Sequence, residues 1–584
     1  MSTQETGGGL SKWQIAALIG APIAAACVLG ALYYWRSSQS SEQKDPEKGE
    51  EVDTTTSTSG VPKNEAPESE ENMSPAERAQ AIKLRGNKYF KGGKFEQAIK
   101  CYTEAIDLCP QDSKAELATY YQNRAAAYEQ QKNYEQVLAD ATKAIELNKK
   151  YSKAFMKRAR AYEKLNRKEE CLQDLTAVCM IEGFNNPNWM MQADRVLKEI
   201  GKEKAQEYYK NRELSLPSST YTKAYLESFC NDDTVVVDSL EDVPEDSPFL
   251  EAVKQMKEKK YENIVDLCTQ QIEKGIGPLY IKALALRGTL YTLISKVDEA
   301  IHDLSQVINA DDKTISTKLK VNCLIKRGSM QLQASNVMEC YQDFTKAVSI
   351  DPDNSDIYHH RGQIYFLSEK LDEAKEDFEK CISLNDSFIP AKIQLAYCIY
   401  KSAALQQSPI LAHGALDMLQ KTVETYPESA DAHSLYAQVL QDMQQFPKAE
   451  EHFDTAIELE PQNPVHRITR GNQSKCEKKF SISYNLFCSM LMLQSRQDVE
   501  KAVELVTEAL EIDKKCDFAY ETLATLEVQR GNLDRAIDLF NKAIALVRTE
   551  AELAQTFSLR EAAKAQKYVT ETLGLTPPTL PFST

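Results

Sequence analysis

Residues 79–110 read AQAIKLRGNKYFKGGKFEQAIKCYTEAIDLCP, and counting Ala79 as position 1 puts Gly86, Ala98 and Ala105 at positions 8, 20 and 27. Tyr89 and Tyr102 fall at 11 and 24, and Pro110 at 32. This spacing predicts two antiparallel helices: small residues let the helices approach closely, and the bulky ones fill the space between them. A single hairpin of this kind cannot bury its own face, so copies must stack.

Copies follow at a 34-residue period, the tetratricopeptide (TPR) pattern. The second starts near Ala118 (Tyr128, Ala144) and the third near Ser152 (Ala159, Tyr162, Cys171). Later copies start near Ile281, Val321, Ser355, Ala430 and Asp517, and weaker ones near 246, 389 and 483, making eleven. The expected fold is therefore an all-α superhelical solenoid of about eleven helix hairpins. A further helix over 551–575 caps the stack, and Pro577, Pro578 and Pro581 stop it.

Two stretches interrupt the period. About sixty residues separate repeats three and four, with LSLPSS near Leu214 and an acidic run from Asp232 to Asp246. They divide the array into an N-terminal domain (75–212), a linker (213–245) and a larger C-terminal domain (246–575), followed by a tail (576–584). The second interruption, Val465 to Ser483, places the polar string RITRGNQSKCEKK where the first helix of repeat ten belongs. It reads as an irregular excursion whose removal costs within about 1 kcal/mol, with the helix resuming near Tyr484.

Ahead of the repeats lies a short tail (1–12) and an uncharged run from Ile15 to Trp35, flanked by Trp13, Lys12 and Arg36. Twenty-one residues at ~1.5 Å each span a ~30 Å hydrocarbon layer, so 13–36 is expected to be a single membrane anchor with aromatic interface residues. Residues 37–74 carry ten acidic and three basic side chains and almost no large apolar ones, the composition of a disordered acidic tether. The alternatives are a cleaved secretory signal ahead of a soluble TPR scaffold, or a TPR-bearing enzyme.

Composition narrows the function. A net charge of −17 repels nucleic-acid phosphate, so no nucleic-acid partner is expected. The 14 cysteines include no CxxC pair in a chain far too long to need a disulfide framework, and read as reduced thiols. Motifs for phosphate-loop, zinc-protease, serine-hydrolase or kinase chemistry are missing, and the repeats leave no catalytic domain, so no enzyme, cofactor or metal site is expected. His359 and His360 are adjacent in sequence and so point ~100° apart on a helix, unable to share a metal unaided.

Function then rests on the groove formed by the first helices. Lys83 and Asn87 lie on one helix face, Asn123 follows in the second repeat, and Lys153 and Lys157 share a face in the third. Three cations and two amides suit a peptide with a free C-terminal carboxylate and an acidic side chain. Equivalent positions in later repeats put Lys326, His359, His360, Gln363, Gln438 and Glu521 toward the groove, with Tyr358 and Arg361 beside them, as a binding surface for client segments.

The strings KLRGNKYF (83–90), YQNRAAAY (121–128) and KAFMKRARAY (153–162) resemble carboxylate-clamp TPR domains, which bind the Glu-Glu-Val-Asp tails of the 70-kDa and 90-kDa heat-shock chaperones. WQIAALIGAPI, GNKYFKGGKFEQAIKCYTEAI, LTAVCMIEGF, LIKRGSM, YHHRGQ and CDFAYETLATLEVQRGNLDRAIDLFNKAI extend the resemblance to the 70-kDa mitochondrial outer-membrane import receptor family, in its animal form. It implies a single-pass outer-membrane protein, N-terminus in the intermembrane space and repeats in the cytosol. Such a protein docks chaperones on the first three repeats, receives hydrophobic preproteins such as inner-membrane carriers on the later ones, and works with other translocase subunits. The resemblance also implies the clamp Lys83, Asn87, Asn123, Lys153 and Lys157, although the family usually has Arg at the fifth position, and Lys cannot make the bidentate fork. The repeats and clamp alone would equally suit a chaperone-docking receptor on the endoplasmic reticulum.

Overall fold

A computed structural model describes residues 73–182, 186–212, 215–235, 246–275, 277, 279–310, 315–443, 445–472 and 496–575. The expected anchor and nearly all of the acidic tether lie outside them. Among the described residues no helix is long and apolar enough to cross a membrane, and the secondary structure is helical throughout.

The first three hairpins are α1 (Pro75–Lys91) with α2 (Phe95–Leu108), α3 (Lys114–Gln130) with α4 (Tyr134–Leu147), and α5 (Ser152–Lys164) with α6 (Lys168–Ile181). Ser74, at the end of the expected tether, starts α1 through a capping box: Glu77 N donates to Ser74 Oγ, and Ser74 N to the Glu77 carboxylate. Two single helices, α7 (Pro187–Asn211) and α8 (Ser219–Glu227), precede the later hairpins.

Those hairpins are α9 (Pro248–Lys257) with α10 (Ile264–Glu273), α11 (Tyr280–Ile294) with α12 (Val297–Asn309), α13 (Thr317–Gln333) with α14 (Val337–Ile350), and α15 (Ser355–Leu367) with α16 (Leu371–Leu384). Four more follow: α17 (Ile389–Gln406) with α18 (Pro409–Thr425), α19 (Ala430–Asp442) with α20 (Phe446–Leu459), α21 (Pro464–Asn472) with α22 (Arg496–Ile512), and α23 (Asp517–Gln529) with α24 (Leu533–Leu546). The last helix is α25 (Glu550–Leu573).

The repeat residues do what their sizes dictate. A Cβ added to Gly86 would lie 2.7 Å from Tyr102 Cε1, and one added to Gly362 would lie 2.8 Å from Phe378 Cε1. The ring at position 24 thus occupies the space that glycine leaves at position 8. A second device was not anticipated from the sequence. Arg124, Arg158, Arg287, Arg327 and Arg361, at position 7 of their repeats, each make a two-pronged ion pair with an aspartate sixteen residues on: Asp140, Asp174, Asp303, Asp343 and Asp377. In four of them the free nitrogen donates to a hydroxyl of the preceding hairpin: Thr103, Thr142, Thr269 and Ser305. One planar guanidinium therefore ties three helices together, which a lysine could not do.

The described chain divides into two compact units, one holding residues up to Ile200 together with Ser558 onward, the other holding Gly201–Phe557. Two assignments shift from the sequence-based boundaries. Residues 201–212, expected in the first domain, pack with the second unit, where Ala205 joins Ile544, Val547 and Leu553. The C-terminal part of α25, expected to cap the later repeats, packs on the third: Ala562 and Ala565 cover Leu172 and Leu175, and Val569 joins Val178.

Repeat ten is corrected as well. Residues 464–472 do not break the period; they form its first helix, α21, packed on α22. Arg470 and Gly471 take positions 7 and 8 of a repeat that begins at Pro464, while His466, Ile468 and Thr469 are fully buried. Asp517 opens the next repeat 53 residues later, so the surplus of nineteen falls after Asn472, outside the described residues. A polar composition hid this helix because two of its inward residues, His466 and Thr469, are themselves polar.

The position-8 constraint predicts opposite outcomes for one substitution at two glycines. Gly362→Ala should destabilise the chain by about 1–3 kcal/mol through overpacking against Phe378. Gly414→Ala, within α18 with open space around its Cα, should stabilise it by up to about 1 kcal/mol. Chemical denaturation of the two variants checks both signs.

Candidate functional site

In the N-terminal unit, α1 presents Lys83 and Asn87 one turn apart, α3 presents Asn123, and α5 presents Lys153 and Lys157. Tyr102 Oη donates to Asn87 Oδ1 at 2.8 Å, and Asn123 Nδ2 reaches the same oxygen at 3.4 Å, so the two amides lie side by side across neighbouring helices. Lys83 is half-buried, and the loss of hydration lowers its pKa. A bound carboxylate would reverse that cost. Neither Lys83 nor Lys153 has a carboxylate partner among the described residues.

Lys157 differs. Its ammonium is paired with the Glu129 carboxylate of α3, and both side chains are about four-fifths buried. Arg158 cannot replace it, because its guanidinium is committed to Asp174 and Thr142.

In the C-terminal unit the expected open groove is filled by the chain itself. Residues 218–234, read in the sequence as linker, form a strap that runs against the first helices of repeats five to seven. Tyr225 and Phe229 are buried there; Tyr225 Oη lies 3.2 Å from Thr292 Oγ1, and the Phe229 ring stacks on His360 at 4.2 Å. The backbone N–H groups of Cys230 and Asn231 donate to the two oxygens of Asp356, at 3.1 and 2.8 Å. Lys326 Nζ, wholly buried, donates to Asp232 Oδ2 at 3.0 Å and to Thr289 Oγ1 at 2.9 Å.

This overturns the expectation that the later-repeat residues face an open groove. Lys326 and His360 hold the strap. His359 and His360 are buried, and desolvation pushes both pKa values down, that of His360 to about 3, so neither carries charge for an acidic ligand. Gln363 sits between the two rings at 3.2 Å from each. Tyr358 Oη donates to the Pro352 carbonyl, and Arg361 belongs to the fork with Asp377. Gln438 is buried, while Glu521 is half-buried and accepts from Thr556 Oγ1 at 3.1 Å.

A cavity of about 650 Å³ is lined by the strap's Tyr221 with Leu216 and Pro217 just ahead of it, by Phe518 and Leu546, and by charged groups including Asp431, Glu460, Lys515 and Arg548. Of the eight sequence-derived residues His359 alone is among its lining. Burial raises the Asp431 pKa to about 6, whereas a hydrogen bond from His466 is the main reason that of Glu460 falls to about 2. Most of these charged residues sit at helix ends or connections, where periodicity gives no signal.

The tetratricopeptide repeat family matches residues 79–112, 355–388 and 412–469. The mitochondrial import receptor subunit TOM70 of Homo sapiens is 42% identical over 98% of this chain and 95% of its own length. Its namesake in Saccharomyces cerevisiae is 25% identical over 84% of this chain and 80% of its own. The crystal structure of yeast Tom70 superposes with a TM-score of 0.50 at 24% identity, covering 85% of this chain and 98% of that one, and so shares the fold.

The strap geometry predicts a stability effect rather than a binding one. Asp232→Ala leaves the Lys326 ammonium buried without a counter-charge and should cost about 3–5 kcal/mol. Glu227→Ala, exposed on α8, should stay within about 0.5 kcal/mol. Denaturant titration of both variants makes the comparison.

Proposed function

We propose the following role for a chain that belongs to the TOM70 family of mitochondrial import receptor subunits: it docks cytosolic 70-kDa and 90-kDa heat-shock chaperones on its first three repeats and receives hydrophobic preproteins in its C-terminal unit. The observation that carries the first half is the row Lys83, Asn87, Asn123 and Lys153. Two ammonium groups there have no acidic partner among the described residues and flank two hydrogen-bonded amides. An acidic peptide ending in a free carboxylate supplies the missing charges.

For clients the cavity lined by Tyr221 of the strap is the better site than the sequence-derived set. At about 650 Å³ it falls in the range of ligand pockets, with apolar walls and a charged rim, enough for a short stretch of side chains. Clients such as inner-membrane carriers would then be handed from chaperone to cavity, with other translocase subunits acting downstream. The run 13–36 anchors the chain in the outer membrane, N-terminus in the intermembrane space and repeats in the cytosol.

Lys83→Ala or Asn123→Ala should weaken binding of a Glu-Glu-Val-Asp peptide roughly ten- to a hundredfold, since charge-assisted bonds contribute about 1.5–3 kcal/mol each. Titration calorimetry on the full chain in detergent decides it, and unchanged affinity in both variants would remove the clamp. For topology, protease added to intact mitochondria should release the repeats; protection until the outer membrane is ruptured would reverse the orientation.

A further inference from the structure

One acidic side chain faces the clamp without belonging to it. Glu129 lies near the C-terminal end of α3, on the helix that carries Asn123, and its carboxylate engages the ammonium of Lys157. Both partners are largely withdrawn from water, at 17% and 21% exposure, so the pair is not the solvent-screened kind that contributes little. A peptide carboxylate approaching Lys157 meets an ammonium already neutralised, with a second negative charge at contact distance. Two carboxylates cannot share one ammonium there without repulsion.

Glu129 also has somewhere to go. It lines a cavity of about 460 Å³ together with Arg160, Glu163, Lys164 and Arg195, the last of which pairs with Glu163 and Glu199. A carboxylate displaced from Lys157 by rotation about its own side chain would remain among cations.

We propose that Glu129 is an internal competitor for the clamp, holding Lys157 until a carboxylate of an acidic peptide takes its place, and so sets the affinity of the chaperone-docking site. The inference rests on the clamp reading above. It gives the lysine at the fifth position a consequence: a point charge held by one acid is more easily exchanged than a guanidinium forked to it.

The test measures binding of a fluorescent peptide ending Glu-Glu-Val-Asp, with a free C-terminal carboxylate, to the full chain in detergent. Glu129→Gln removes the competing charge while keeping the side chain's shape, and should tighten the peptide roughly three- to tenfold. Lys157→Ala should weaken it, and adding Glu129→Gln to Lys157→Ala should recover little, because the competitor acts through that ammonium. Tightening cannot arise from a misfolded variant. Unchanged or weaker binding in Glu129→Gln, with Lys83→Ala still weakening it at least about tenfold, would overturn the role of Glu129 and leave the clamp standing. Unchanged binding in Lys83→Ala as well would overturn both.

Discussion

The close approach of the two helices in each hairpin is the constraint on which the rest of the structure depends. Where position 8 is glycine, the position-24 side chain occupies the space of the missing Cβ, as Tyr102 does over Gly86 and Phe378 over Gly362. That proximity brings position 7 of the first helix within reach of position 23 of the second, and the arginine–aspartate forks form there. Because the third nitrogen reaches a hydroxyl of the previous hairpin, packing within a repeat also sets the stacking between repeats. These charges are affordable inside the stack only because the two-pronged geometry satisfies both partners.

The same architecture produces two different grooves. In the first three repeats the groove-facing positions carry cations and amides, and two of the cations lack an acidic partner among the described residues. In repeats six and seven those positions carry Lys326, His360 and the N-terminal acid Asp356, and the chain's own strap satisfies them with a carboxylate, a ring and two backbone N–H groups. Groove chemistry alone therefore does not mark a binding site. What distinguishes the two is whether a segment of the same chain already supplies the complement.

Filling one groove creates another surface. Tyr221 of the strap, with Leu216 and Pro217 just ahead of it, forms a wall of the cavity in the C-terminal unit. A segment that the sequence presents as linker is thus both an internal ligand and part of a candidate client site. Stability and binding are coupled through it, so substitutions at the strap report on folding before they report on recognition.

The sequence alone determined the helix hairpins, their period and most of their starts, because glycine and alanine at fixed spacing admit one packing and ring-bearing residues complete it. It also placed Lys83 with Asn87, and Lys153 with Lys157, on shared helix faces, since helical periodicity says which side chains lie together. Three things were decided only by the tertiary structure. Repeat ten begins at Pro464 because His466, Ile468 and Thr469 turn inward, a pattern too short and too polar to stand out in RITRGNQSKCEKK. Lys326 and His360 lie under a strap because Asp232 and Phe229 find partners far away in the chain, while Arg361 is taken up by its fork with Asp377 and Tyr358 by the Pro352 carbonyl. Lys157 faces Glu129 across two helices, and no rule of spacing within one helix carries that pairing. Periodicity encodes what a helix presents, whereas what meets it depends on contacts between distant segments, which the linear order of residues does not contain.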